Sequence, residues 1–346
     1  MYAEMQSIKR VNSLSSKYMR TEQGNDIAIV HEEMERFLEI SKGKIAICRN
    51  TTEALDTVIH GINWQKRDEI ITGNQDYYSM IHAIEQEAKR NGIKRVEVEV
   101  PIHPTNDEEI VAVYENAITS KTRYILLTHI INTTGHILPA KKIIEMAHKR
   151  GVQVIVDSAH AVAHFQFSID DLDPDYLGCS LHKWLGCPIG VGLLYVKKDR
   201  IAEIWPLFGD TEFEKDDIRK FWHWGTRPVA TLLSVKKAIE FHNTIGSELK
   251  EKRLRYLNEY WTNQVKPLPK IFLNTPNSAD RYCAIANMGV TDMSPKEVQQ
   301  RLLNEYKVFT VAIEHKAFNG IRVTPHLYTS INDLDKLVEG IKTIAA

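Results

Sequence analysis

Val154-Ile155-Val156-Asp157-Ser158-Ala159-His160 and, downstream, Cys179-Ser180-Leu181-His182-Lys183-Trp184 decide how this chain is read. The first segment is an apolar, β-branched run that ends on a carboxylate, the pattern of a buried strand with an acid at its tip. Lys183 follows 26 residues after Asp157, in a polar turn behind a second short strand. A strand-tip aspartate can hold a protonated ring nitrogen, and a lysine amine can form an imine with a carbonyl. The pair therefore suits a bound pyridinium aldehyde.

Outward from this pair, strand-like and helix-like stretches alternate. Residues 45–48, 69–72, 95–100, 124–128, 153–156 and 191–196 read as strands, and 52–62, 79–91, 107–118 and 140–150 as helices. Such alternation predicts an α/β fold with a mainly parallel sheet wrapped by helices. Ligands collect at the carboxyl ends of the strands in these sheets, which is where Thr51, Tyr77, Asn132 and Asp157 fall. Beyond Gly225-Thr226-Arg227-Pro228 a long helical pattern runs over 230–265. It leads to a C-terminal α+β part with strands at 282–286 and 320–324 and helices at 294–306 and 331–345. The expected division is an N-terminal segment 1–25 packing on the small domain, a large domain 26–228, and a linking helix with a small domain over 229–346.

Composition narrows the function. With 43% hydrophobic and 26% charged residues in 346, the chain reads as an ordinary globular protein. Forty-four basic against 45 acidic residues leave no net field toward nucleic acid or an anionic membrane. Met1-Tyr2-Ala3-Glu4-Met5-Gln6 carries no apolar stretch of signal length, and no segment approaches a membrane span, so a cytoplasmic location is expected. Cys48, Cys179, Cys187 and Cys283 lack C-x-x-C spacing, which points away from both a metal site and a disulfide framework.

The two opening motifs, in this order and at this spacing, resemble the class V aminotransferase family of pyridoxal-phosphate (PLP) enzymes, in the branch of isopenicillin N epimerase and the cysteine desulfurases. There an Asp-x-Ala-His/Gln strand end precedes a Ser-x-His-Lys turn, matched here by Asp157-Ser158-Ala159-His160 and Ser180-Leu181-His182-Lys183. The resemblance spans roughly residues 45 to 342. It implies the PLP-dependent transferase fold type I, a seven-stranded-type sheet with a smaller C-terminal domain. PLP is the implied cofactor, and a homodimer with its active site at the interface the implied assembly.

The resemblance also implies roles for single residues. Lys183 is the imine-forming lysine and proton shuttle, Asp157 the partner of the pyridinium N–H, and His160 the neighbour of the cofactor's phenolic oxygen. Thr51 and Thr52, in Arg49-Asn50-Thr51-Thr52-Glu53-Ala54-Leu55, form the phosphate cup, joined by Ser180 and His182. Thr226 completes the cup from the neighbouring subunit, Tyr77 stacks over the ring, and Asn132 sits beside it. Arg322, in Gly320-Ile321-Arg322-Val323-Thr324-Pro325-His326-Leu327-Tyr328, grips the substrate carboxylate. Plainer readings stand beside these: a helix N-cap for Thr51/Thr52, a cap for His160, ring packing for Tyr77 and a structural ion pair for Arg322.

One departure bears on the chemistry. The desulfurases carry a nucleophilic cysteine shortly before the C-terminal arginine, and Val311-Ala312-Ile313-Glu314-His315-Lys316-Ala317-Phe318-Asn319 has none. The expected function is aminotransferase or epimerase chemistry on an amino acid through an external aldimine, with C–S lysis of a cysteine conjugate as the alternative. A non-catalytic PLP-binding relative and a nucleotide-binding protein are the readings outside that class. The latter lacks a Gly-rich phosphate loop.

Overall fold

The computed structural model describes residues 2–346 and forms two compact units. The first comprises the chain up to Glu99 with Val111–His129 and Pro139–Gly246. The second comprises Val100–Ile110, Ile130–Leu138 and Ser247–Ala346.

The first unit is built on seven strands: β1 (Ile45–Cys48), β2 (Glu69–Gly73), β3 (Lys94–Val98), β4 (Thr122–Thr128), β5 (Gln153–Asp157), β6 (Tyr176–Ser180) and β7 (Gly192–Val196). They lie in the order β1-β7-β6-β5-β4-β2-β3. Strand β7 is antiparallel to both neighbours, and the other pairs are parallel. This is the mainly parallel, helix-flanked sheet of fold type I. Strand β6 is the short strand expected ahead of Lys183; Tyr176-Leu177-Gly178-Cys179-Ser180 holds no β-branched residue, yet all five are buried.

Helix Thr51–Gly61 packs on β6 and β7. Its Ala54, Leu55, Val58 and Ile59 are wholly buried, an i, i+1, i+4, i+5 stripe that follows the helical period. Two glycines permit the approach. A Cβ on Gly178 would stand 2.7 Å from the Leu55 side chain, and one on Gly192 would stand 2.5 Å from Asn50 Cα. The start of this helix is thus pressed onto the carboxyl end of the sheet.

The second unit carries an antiparallel sheet of β8 (Ile271–Leu273), β9 (Ala286–Val290), β10 (Val311–Glu314) and β11 (Asn319–Val323), in the order β10-β11-β9-β8. Helices Ser247–Val265, Pro295–Tyr306 and Ile331–Ala345 supply Trp261, Leu302 and Ile341 to its core, beside Met288 and Ile321.

Two sequence expectations shift. The pattern over 230–265 is three helices, Val229–Leu233, Val235–Ile245 and Ser247–Val265. Gly246, at φ +84°, ends the second in a conformation open to glycine. The first two of these helices belong to the first unit, and Tyr2–Ser13 packs against Val229–Leu233. The strand placed at 282–286 begins only at Ala286, because Asn258 Nδ2 donates to the carbonyls of Ala284 and Ile285 at 3.2 Å and occupies groups a ladder would use. No helix among the described residues is long and apolar enough to cross a membrane.

Candidate active site

Asp157 closes β5, in register with Thr128 on β4 and Gly178 on β6. Its Oδ1 accepts the Ala159 N–H at 2.9 Å. The side chain is buried, and desolvation raises its pKa against the opposing pull of that N–H and of Lys183. A buried carboxylate in this state gains most from a cationic hydrogen-bond donor.

Lys183 lies beyond the end of β6. Its Nζ is 2.9 Å from His160 Nε2, and Trp184 Nε1 donates to His160 Nδ1 at 3.2 Å. The loop after β5 and the loop after β6 therefore meet, bringing Asp157, His160 and Lys183 to one place. His182, the neighbour of Lys183, has its pKa lowered by burial first and by the Lys183 charge second.

A second acid, Asp76, stands just beyond β2, which lies on the far side of β4 from β5. Asp76 accepts the Thr128 hydroxyl at 2.7 Å and the Gly73 N–H at 2.7 Å. Desolvation pushes its carboxyl up to about 7, and the Asp157 charge adds to the rise. Asp157 also raises Tyr77, after the larger effects of the Tyr78 hydroxyl and desolvation. Tyr77 is partly buried and its ring centroid is 4.5 Å from that of Tyr78, with its hydroxyl donating to Tyr78 at 3.2 Å. Sequence reading passes over Asp76 as a functional residue. The available signal is the one that finds Asp157, a carboxylate just beyond an apolar strand.

At the end of β1, Asn50 and not a threonine is the N-cap of the helix, its Oδ1 accepting the Glu53 N–H at 2.9 Å. Thr51 turns instead to Ser180: its N–H donates to Ser180 Oγ at 3.0 Å, and the two hydroxyl oxygens lie 2.7 Å apart. Thr52 follows in the same first turn, where N–H groups have no carbonyl of the preceding turn to bond. Backbone donors and hydroxyls at a helix N-terminus form a natural anion cradle.

Thr226 is exposed in the segment between the Ile218–Phe221 turn and helix Val229–Leu233. The first unit thus assembles Thr51, Thr52, Tyr77, Asp157, His160, Ser180, His182 and Lys183 at the carboxyl end of its sheet. Within the second unit, Arg322 on β11 donates through Nη1 to the Asn132 carbonyl at 3.1 Å. These two sequence-predicted residues are neighbours through a backbone carbonyl, a contact that no motif spacing foretells. Among the described residues no group of three or more His, Cys, Asp or Glu is placed to hold a metal.

Comparison with known proteins places this geometry in a family. The family model described as aminotransferase class-V matches residues 4–337. The chain is 24% identical over 332 residues to the isopenicillin N epimerase of Streptomyces clavuligerus, covering 90% of this chain and 83% of that protein. It is 27% identical over 333 residues to a probable cysteine desulfurase of Halalkalibacterium halodurans, covering 90% and 80%. Among solved structures it resembles the cystine C–S lyase C-DES in complex with its reaction product cysteine persulfide, with a TM-score of 0.85, 21% identity, and coverage of 97% of this chain and 93% of that one. With a family model spanning nearly its whole length, the chain belongs to the aminotransferase class-V family of PLP-dependent enzymes.

Proposed function

We propose that this protein acts on an amino acid or amino-acid derivative and labilises a bond at its Cα, with transamination or epimerisation as the outcome. The observation that carries the reading is the convergence, at the carboxyl end of a fold type I sheet, of a buried Asp157 carboxylate with Lys183, whose Nζ lies 2.9 Å from His160 on the loop after Asp157 and whose charge acts on that carboxylate. The residues fit PLP. A desolvated carboxylate answers a protonated ring nitrogen, and the Thr51, Thr52 and Ser180 cradle answers a phosphate. When bound, the cofactor supplies an electrophilic carbonyl carbon and an electron-withdrawing ring.

The chain's own groups do the rest. Lys183 Nζ would hold the cofactor and would accept or return the Cα proton. Asp157 would keep the ring nitrogen protonated, His160 would face the phenolic oxygen, His182 would add to the phosphate grip and Tyr77 would cover the ring face. Asn132 would serve beside the ring, and Arg322 would hold the substrate carboxylate in a bidentate pair. The exposure of Thr226 supports its service to the site of a second copy in a homodimer.

C–S lysis of a cysteine conjugate is the second reading, since the same groups labilise Cα before a β-substituent leaves. A desulfurase relay through a protein persulfide has less support, because Cys48, Cys179, Cys187 and Cys283 are all buried and burial keeps such thiols protonated and inert. The test is a visible spectrum of the purified protein followed by product analysis with a panel of amino acids and cysteine conjugates. A keto acid, an inverted amino acid, or pyruvate with ammonia would separate the three reactions. Absence of a borohydride-sensitive band overturns the reading altogether.

A further inference from the structure

We propose that Trp184 is a positioning residue: its indole N–H fixes the tautomer of His160 and, through it, favours the unprotonated Lys183 amine. The inference rests on the reading of Lys183 as the residue that captures the cofactor.

The argument follows from which atoms can donate. An indole nitrogen only donates, so the 3.2 Å contact from Trp184 Nε1 requires His160 Nδ1 to accept. A neutral imidazole whose Nδ1 accepts carries its proton on Nε2. That Nε2 is the atom 2.9 Å from Lys183 Nζ. An Nε2–H can bond to a nitrogen only if that nitrogen offers a lone pair. An ammonium would set hydrogen against hydrogen. The pairing therefore favours the neutral amine, the form that attacks a carbonyl.

Trp184 is well placed to impose this choice. It is buried, and its ring stacks on His164 with centroids 3.6 Å apart and an angle of 8° between planes. His164 Nδ1 in turn lies 2.8 Å from the His160 carbonyl oxygen. Indole, both imidazoles and the backbone between them thus form one closed frame.

Among the titratable groups coupled to Lys183 are Asp157 at the end of β5, Cys179 on β6 and His182 in the lysine's own loop. Asp157 pulls the opposite way, because a carboxylate favours a neighbouring ammonium. Cys179 is pushed up and His182 pushed down, each chiefly by desolvation, so both stand uncharged at neutral pH. Trp184, acting through His160, offsets Asp157.

The experiment is nitrogen NMR of the full-length PLP-free protein labelled with 15N-histidine, with His160 assigned by its loss in His160→Gln. Wild type should show a pyridine-type Nδ1 and a pyrrole-type Nε2 for this ring. Trp184→Phe keeps a ring against His164 and removes the N–H, so the two resonances should move toward each other as the tautomers mix. In protein stripped of PLP and then given it back, borohydride-trapped capture at neutral pH should be severalfold slower in Trp184→Phe. A pyrrole-type Nδ1 in wild type, or identical ring resonances in the two proteins, overturns the tautomer assignment. An unchanged capture rate overturns the effect on Lys183. If Trp184→Phe does not fold, the wild-type spectrum still decides the tautomer. The NMR result does not depend on turnover, so its failure is distinct from failure of Lys183 to capture PLP at all.

Discussion

Thr51 Oγ1 and Ser180 Oγ lie 2.7 Å apart although 129 residues separate them in the chain. One opens the helix after β1, the other ends β6, and their contact joins the proposed phosphate cradle to the loop that carries Lys183. Ser180→Ala would leave the buried Thr51 N–H without this acceptor, at a cost of about 1–3 kcal/mol. The melting temperature of the PLP-free protein should fall, and PLP affinity measured by equilibrium dialysis should weaken by about tenfold. Unchanged affinity would place the phosphate elsewhere.

Lys183→Ala should abolish covalent retention of PLP. Wild type treated with borohydride and then denatured should keep the chromophore, whereas the variant should release it and show no turnover. The variant should still fold, since Lys183 is only partly buried. A variant that holds the chromophore through denaturation would move the attachment to another lysine.

Asp76 gives stability a pH dependence of definite sign. Burial pushes its carboxyl up to about 7, whereas an unfolded aspartate titrates near about 4. Between those values the folded protein holds a proton that the unfolded chain has released, so stability falls as pH rises through the window and levels off above it. Asp76→Asn cannot titrate, so its melting temperature should decline less from about pH 4 to about pH 7. Asp157, also raised, acts in the same direction and is common to both proteins. Parallel melting curves across that range would contradict the assignment.

Gly192 and Gly178 should differ in what their loss disturbs. In Gly192→Ala the new Cβ meets Asn50 backbone atoms at 2.5–2.7 Å, so the N-cap itself must move. In Gly178→Ala it meets the Leu55 side chain at 2.7 Å and Ala54 Cβ at 3.2 Å. Both should lose about 1–3 kcal/mol in denaturant unfolding. Only Gly192→Ala should also weaken PLP binding by more than the loss of folded protein explains.

Arg322→Gln tests the substrate class. If the guanidinium grips an amino-acid carboxylate, KM should rise about tenfold or more while the PLP spectrum stays unchanged. An amine substrate lacking the carboxylate should be indifferent to the change. Equal losses with both substrates would make Arg322 structural, serving the Asn132 carbonyl.

The fold was legible where its signals are local. Strands β1, β2, β4 and β5 announce themselves through runs such as Gln153-Val154-Ile155-Val156, and their intervening helices end on residues such as Gly92, which sits at φ +69°. Strand β6 showed only as a short strand ahead of Lys183, without bounds, because it holds no β-branched residue and is buried by neighbours on both sides. The break at Gly246 was hidden inside an otherwise continuous helical pattern.

The amino-acid sequence by itself determined the family, the alternating architecture, the cofactor, and the candidate grip of Asp157 and Lys183, since each depends on residue type and order. Tertiary structure alone decided who stands beside whom. It set Asn50 rather than Thr51 as the cap, Thr51 against Ser180, Thr128 against Asp76, and Trp184 against His160. Those contacts join strand ends distant in the chain, and both the desolvation that raises Asp76 and the hydrogen bond that orients His160 exist only once the sheet has closed around them.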